Sequence, residues 1–326
     1  MRPADRRLAW PLVTGSFPSF IARRFALLLL TMVLVPSLSF VMFTVIQGDH
    51  TGPVDVLEEL GRYLAATIFR SDLGAGNFQG QTFIRTRGAF AVVSDGFLVD
   101  VYLLCGALVL AVAIGLLAGV LQATRPRSIA SRVVALATAL ALASPVYWLG
   151  LMVLLLFAPG VGSIAQVPFL STVGGYRAPG DDPLGFLQGL WLPCAIVGAP
   201  LGAACTRMCA AQLGGMLGED FVRTARGKGV GERGVVWRHA LPAAAGPVIA
   251  LVGTNMNLIL TNLALIESVF NIPGSFRYIE RALINRDVDL VQALVVEATF
   301  FIVVANFLAD AALGWLDPRV RTGEPR

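Results

Sequence analysis

The sequence has little charge and few of the side chains that catalysis uses. Lys, Arg, Asp and Glu make up 14% of its 326 residues, against about 25% in a soluble domain, while 56% are hydrophobic. A water-soluble globule of this composition would expose much of its apolar excess. That excludes a soluble enzyme, a secreted disulfide scaffold and a disordered chain. The two histidines, His50 and His239, stand in different loops, which removes H-E-x-x-H zinc chemistry and disfavours a Ser-His-Asp triad. No G-x-x-x-x-G-K-[ST] occurs, so the chain is not expected to hydrolyse nucleotides. Cys105, Cys194, Cys205 and Cys209 all fall in apolar runs and form no disulfide framework. Cys205 and Cys209 share a helix face without a His or acid nearby, so they read as buried thiols and no metal site is expected. A formal charge of +4 does not indicate a nucleic-acid partner.

Long apolar runs are what the sequence does contain. A bilayer core needs about 20 consecutive apolar residues per helix. Six segments qualify: 25–46, 97–123, 133–158, 186–206, 241–266 and 290–316. The first follows Arg23-Arg24 and lacks an A-x-A cleavage site, so it reads as a retained signal anchor. Asp100 lies near the outer end of the second, and Pro193 and Pro200 are expected to break the fourth. Glu297 and Asp310 interrupt the sixth. Each acid costs about 2.5–3.5 kcal/mol at a helix centre, while each Leu, Ile, Val or Phe returns about 0.3–0.6 kcal/mol. The segment holds 14 of those apolar residues, enough to insert.

Loop charge sets the orientation. With the N-terminus inside, residues 1–24, 124–132, 207–240 and 317–326 hold 17 Lys and Arg, and the outer loops hold 8 with 12 acids. The positive-inside rule then puts both termini in the cytoplasm. The expected architecture is an all-α polytopic membrane protein with six transmembrane helices. A cytoplasmic tail 1–24 precedes a transmembrane domain 25–316, and a second tail occupies 317–326. Residues 48–96 form an extracytoplasmic subdomain in which Leu57, Leu60, Leu64 and Ile68 have helical spacing, and 207–240 form a cytoplasmic loop. Gly115/Gly119 and Gly198/Gly202 are G-x-x-x-G pairs that permit close helix approach, although chance matches are expected among 34 glycines.

The loop 207–240 is the most informative stretch. Gly229, Gly231 and Gly234 spell G-x-G-x-x-G, but no strand signal precedes them and a membrane span follows, so they are loop glycines and not a dinucleotide fingerprint. Glu219 and Asp220 suit a helix N-terminus, Arg223, Arg226 and Lys228 suit a C-terminus, and Gly227 and Gly229 supply stops. The helix so predicted has about two turns, too short to be stable alone in water. Phe221, Thr224 and Ala225 are placed on one face, which is expected to dock on a partner.

This loop resembles the cytoplasmic motif of ABC importer permeases, E-A-A-x3-G-x9-I-x-L-P. Aligned on Gly229, the motif starts at Arg223-Thr224-Ala225; His239 takes the Ile position, and Leu241-Pro242 falls on L-P. V-R-T-A-R-x-K-G with R-H-A-L downstream resembles the dipeptide/oligopeptide/nickel branch, first-permease type. Glu267-Ser268-Val269-Phe270 with Pro273-Gly274 resembles that branch's E-x-V-F-x2-P-G, and Arg286-Asp287, Gln292, Asn306, Asp310 and Asp317-Pro318-Arg319 follow in order. The likeness covers residues 20–321. The sequence departs from the pattern at His50 (Pro in G-D-P), at Asn262 (often Gly) and at Ser275-Phe276 (Leu-Gly in P-G-L-G), and its outer loop is short. These departures bear on the substrate more than on the machine.

The resemblance implies a type I ABC importer permease fold in a prokaryotic plasma (inner) membrane. It implies a second, homologous permease subunit, two ATPase subunits that bind ATP and Mg, and an extracytoplasmic solute-binding protein. Residues Asp220, Phe221, Val222, Arg223, Thr224, Ala225, Arg226, Lys228 and Gly229 would couple to an ATPase. The chain itself would carry no cofactor, metal or catalytic residue, and would be no enzyme. The cargo would be a di- or oligopeptide, or a related small solute. Asn255, Asn262, Glu297, Asn306 and Asp310 are candidates to line the pathway or the interface between permeases. The alternative is a secondary, ion-coupled transporter using Glu297 and Asp310 as a proton relay. Their 13-residue separation puts them about 20 Å apart along a helix, which disfavours it.

Overall fold

The computed structural model describes residues 17–47, 53–65, 88–158 and 176–316. They form helices, with no strand among the described residues. In chain order these are α1 (Phe17–Gln47), α2 (Pro53–Ala65), α3 (Ala89–Thr124), α4 (Ile129–Ala143), α5 (Val146–Phe157), α6 (Pro183–Met216) and α7 (Asp220–Gly227). The short α8 (Glu232–Gly234) passes through one π-helical turn, Val235–Ala240, into α9 (Leu241–Phe270). Then come α10 (Ile279–Ile284) and α11 (Val288–Leu316). Ile68, the last residue of the predicted outer-loop helix, lies outside the described residues.

Among the described residues, five helices are long and apolar enough to cross a membrane, or six if α4 and α5 count as one. The third segment is therefore not the single rod expected, because α5 turns away from α4 by 116°. Pro145 is the reason. It lacks an N–H and pushes the preceding Ser144 out of the helical region, to ψ 136°. The fourth segment errs the other way: α6 runs unbroken through Pro193 and Pro200. Its packing between α3 and α9 overrides the local preference of both prolines.

The α3–α6 pairing is the spine of the bundle and is built from small residues. A Cβ on Gly115 would sit 2.6 Å from the Cβ of Cys205 and 2.9 Å from the carbonyl of Gly202, and one on Gly119 would sit 2.6 Å from the Cβ of Cys209. From the other side, a Cβ on Gly198 would sit 2.6 Å from the carbonyl of Ala107. The two G-x-x-x-G pairs thus lie staggered along one seam: Gly198 and Gly202 pack on Ala107 and Ala111, while Gly115 and Gly119 take Cys205 and Cys209 as knobs. Gly115→Ala is accordingly expected to destabilise by about 1–3 kcal/mol, the usual range for overpacking. Gly214→Ala, with open space around it, should be neutral or stabilising. Thermal unfolding of the detergent-purified chain checks this; equal midpoints for both variants would contradict the seam.

At one end of the bundle, the start of α1 joins the end of α11 through an Arg24–Asp310 ion pair of 3.1 Å and an edge-on contact of Phe25 with Phe307. At the other end, the start of α3 meets α11 through Phe97 stacked on Phe301.

Candidate functional site

The segment after α6 folds much as its charges dictate. Asp220 stands in the first turn of α7, where a carboxylate complements the helix dipole. The helix closes in a Schellman motif: the N–H of Val230 donates to Ala225 O at 3.2 Å, and that of Gly229 to Arg226 O at 2.9 Å. Gly229 has φ +82° and open space where a Cβ would be, so backbone conformation alone selects glycine there. Gly231 then opens α8. The π turn that follows precedes Pro242, whose missing N–H and bulky ring disfavour a regular α turn at that point.

The faces of α7 differ from expectation. Val222 and Ala225 are buried inside the chain's own cluster with Leu213, Val235, Val236, Ala240 and Ala244. Arg226 adds a 2.7 Å bond from Nε to Glu232 and a longer one to Leu217 O. The helix is therefore ordered by its own chain and does not await a partner, and Ala225 belongs to the inner face. Phe221 is 44% exposed. Thr224 and Lys228 follow it at i+3 and i+7 along one exposed stripe, with Asp220, Arg223 and Arg226 also exposed. Trp237, Arg233 and Arg238 are exposed nearby in sequence, so this end of the bundle presents aromatics among basic side chains.

At the opposite end, three acids from three helices gather around one loop. The N–H of Ser275 donates to Asp100 Oδ2 at 3.0 Å, the N–H of Arg277 to Glu267 Oε2 at 2.8 Å, and the Ser275 hydroxyl lies 3.3 Å from Glu297 Oε1. All three acids are buried. A Cβ on Gly274 would overlap the carboxylates of Asp100 and Glu267. The loop 273–277 is thus clasped by α3, α9 and α11. Of these acids only Glu297 was a sequence candidate. Asp100 and Glu267 were missed as partners, although topology held the signal: each of the three lies toward the same end of its span. Nearby, Asp182 opens α6, accepting the N–H of Gly185 at 2.9 Å. That bond, with the Arg177 guanidinium, holds its carboxyl below the usual carboxylate range.

The remaining candidates disperse. Asn255 and Asn262 donate to Leu251 O and Leu258 O of their own helix, at 2.8 and 2.6 Å. Asn306 is exposed, and Asp310 is committed to Arg24. Glu297 and Asp310 therefore belong to separate groups at opposite ends of α11, and form no relay. The exposed line on α9 is instead Thr254, Leu258, Thr261, Leu265 and Ser268, spaced as one helical stripe and carrying hydroxyls on alternate positions. Its end, Ser268, lines a cavity of about 840 Å³ together with Asp95, Glu267, Arg277 and Arg281.

The chain is similar in sequence to permease proteins of peptide transport systems. It is 29% identical over 335 residues to the di/tripeptide transport system permease protein DppB of Pseudomonas aeruginosa, covering 93% of this chain and 98% of that one. It is 29% identical over 231 residues to the dipeptide transport system permease protein DppB of Escherichia coli, covering 66% and 68% of the two chains. Residues 111–322, which run from the α3–α6 seam through α7, the clasped loop and α11, match the family described as the binding-protein-dependent transport system inner membrane component. The chain belongs to that family: it is a multi-pass, all-helical permease of a binding-protein-dependent ABC importer.

Proposed function

We propose that this permease forms half of a peptide-import pathway, beside a second, homologous permease. Two ATPase subunits, which bind ATP and Mg, engage the α7 end in the cytoplasm. A loaded solute-binding protein engages the opposite end, and both termini are cytoplasmic. Peptide as cargo rests on the relatives' names. The observation that carries the coupling role is the two-faced α7. Its inner face is packed on the π-helical turn that leads into α9, while Phe221, Thr224 and Lys228 face outward. Such a helix transmits movement of a docked subunit into α9, which carries Asn255 and Asn262, an element that ATP biases from one end and loaded binding protein from the other.

Lys228 is the only lysine in the sequence, which makes the contact directly testable. An amine-reactive cross-linker added to the assembled complex is expected to join this chain to an ATPase subunit through Lys228, and Lys228→Arg should abolish that product. A cross-link that forms equally in the Arg variant, or one to the binding protein instead, would remove α7 from the ATPase interface.

A further inference from the structure

The cavity at the clasped end offers one cation in an unusual state. The backbone of Arg277 is fixed by its N–H bond to Glu267, 2.8 Å long. Its guanidinium lies 4.7 Å over the Tyr278 ring, and Nη2 donates to the Tyr278 hydroxyl at 2.6 Å. Its Nε is buried and has no hydrogen-bond partner among the described residues. The ring contact and the bond to the Tyr278 hydroxyl hold this guanidinium in place on the cavity wall. Arg281, one turn further on, lines the same cavity.

We infer that this cavity is a carboxylate-recognition site, with Arg277 taking the α-carboxylate of a short peptide as it passes into the permease. The inference rests on the peptide-import reading above. A planar fork of N–H donors matches a carboxylate in geometry as well as charge. The cavity's 840 Å³ lies in the range of small-molecule sites, about 300–1,000 Å³. Asp95 and Glu280 line it as well, so it presents both signs of charge, as a zwitterion requires. Ser268 on its wall begins the exposed α9 stripe that leads through Thr261 to Thr254, which gives the bound peptide an onward route. The loop that carries Arg277 is held from three helices, so the site is rigid where the clasp holds and open where the cargo enters.

The test uses the assembled complex in lipid nanodiscs, with saturation-transfer NMR of alanyl-alanine and of its C-terminal amide. The wild type is expected to bind the free acid about tenfold or more tightly than the amide, the scale of one charge-assisted hydrogen bond. Arg277→Gln should bring the acid down to the level of the amide, and Arg277→Lys, which keeps the charge and loses the fork, should fall between. Equal binding of acid and amide by the wild type overturns the site, and this comparison decides even if Arg277→Gln fails to assemble. Discrimination that persists in Arg277→Gln overturns it too. So does loss of binding-protein docking in that variant with discrimination intact, which would assign Arg277 to a protein contact. If the wild type discriminates yet proteoliposomes of the complex import no peptide, the peptide-import reading falls and the carboxylate site stands.

Discussion

Phe221→Ala is expected to abolish substrate-stimulated ATP hydrolysis by the assembled transporter while the chain still folds and inserts. Phe221 is a large apolar side chain left 44% exposed on an eight-residue helix whose other face is buried. Covering such a ring stabilises a complex by about 1.5–3 kcal/mol, and aromatic anchors of this kind carry a large share of interface energy. Removing it should weaken ATPase association by about 10–100-fold. Folding should be untouched, because α7 is held by Val222, Ala225 and the Arg226–Glu232 pair. Ala225→Trp has the opposite profile. It drives an indole into the cluster around Leu213 and Val235, so it lowers the stability of the chain itself. Co-purification of the ATPase and stimulated turnover, measured beside a thermal midpoint, separate the two. Wild-type stimulation in the Phe221→Ala complex would mean that the exposed face of α7 touches nothing that matters.

That contrast also marks what the sequence could disclose about α7. Its ends were legible, because acids, then bases, then a glycine stop describe a short helix in order. Its faces were not. Ala225 lies one turn from both Phe221 and Val222, so it fits either stripe, and only the position of Leu213 and Val235 decides between them. The seam of α3 and α6 shows the same limit from another side. Two G-x-x-x-G pairs were visible, but nothing local said that Gly115 meets Cys205 and Gly202 rather than lipid. In α4 and α5, a continuous apolar run concealed a bend that Pro145 imposes, whereas two prolines in α6 imposed none. Proline states a local preference, and the packing around it determines the outcome. The clasp was hardest to see, since Asp100 and Ser275 are 175 residues apart and each acid had a separate, plausible reading alone.

Glu267→Ala should abolish peptide uptake, through the loop and not through the ATPase. Glu267 is fully buried, and its Oε2 is the acceptor for the N–H of Arg277. Without it that donor is left unpaired in a part-buried site, at a cost of about 1 kcal/mol or more. The loop also loses one of its three attachments. Ser275 remains tied to Asp100 and lies beside Glu297, so the defect is confined to the stretch that carries Arg277 and Tyr278 into the cavity. Of α9, the α7 end meets only the start, at the opposite end of that helix from Glu267, so ATPase co-purification should stay at the wild-type level. Glu267→Gln keeps a carbonyl acceptor of nearly the same shape and is expected to retain most of the uptake, which separates the lost hydrogen bond from the lost acid. Uptake by proteoliposomes of the two variants, with ATPase co-purification measured alongside, reads the difference. Normal import by Glu267→Ala would show that the acids only fill space between α3, α9 and α11. Equal failure of the Ala and Gln variants would show that the carboxylate itself, and not the bond it accepts, is what the outer end requires.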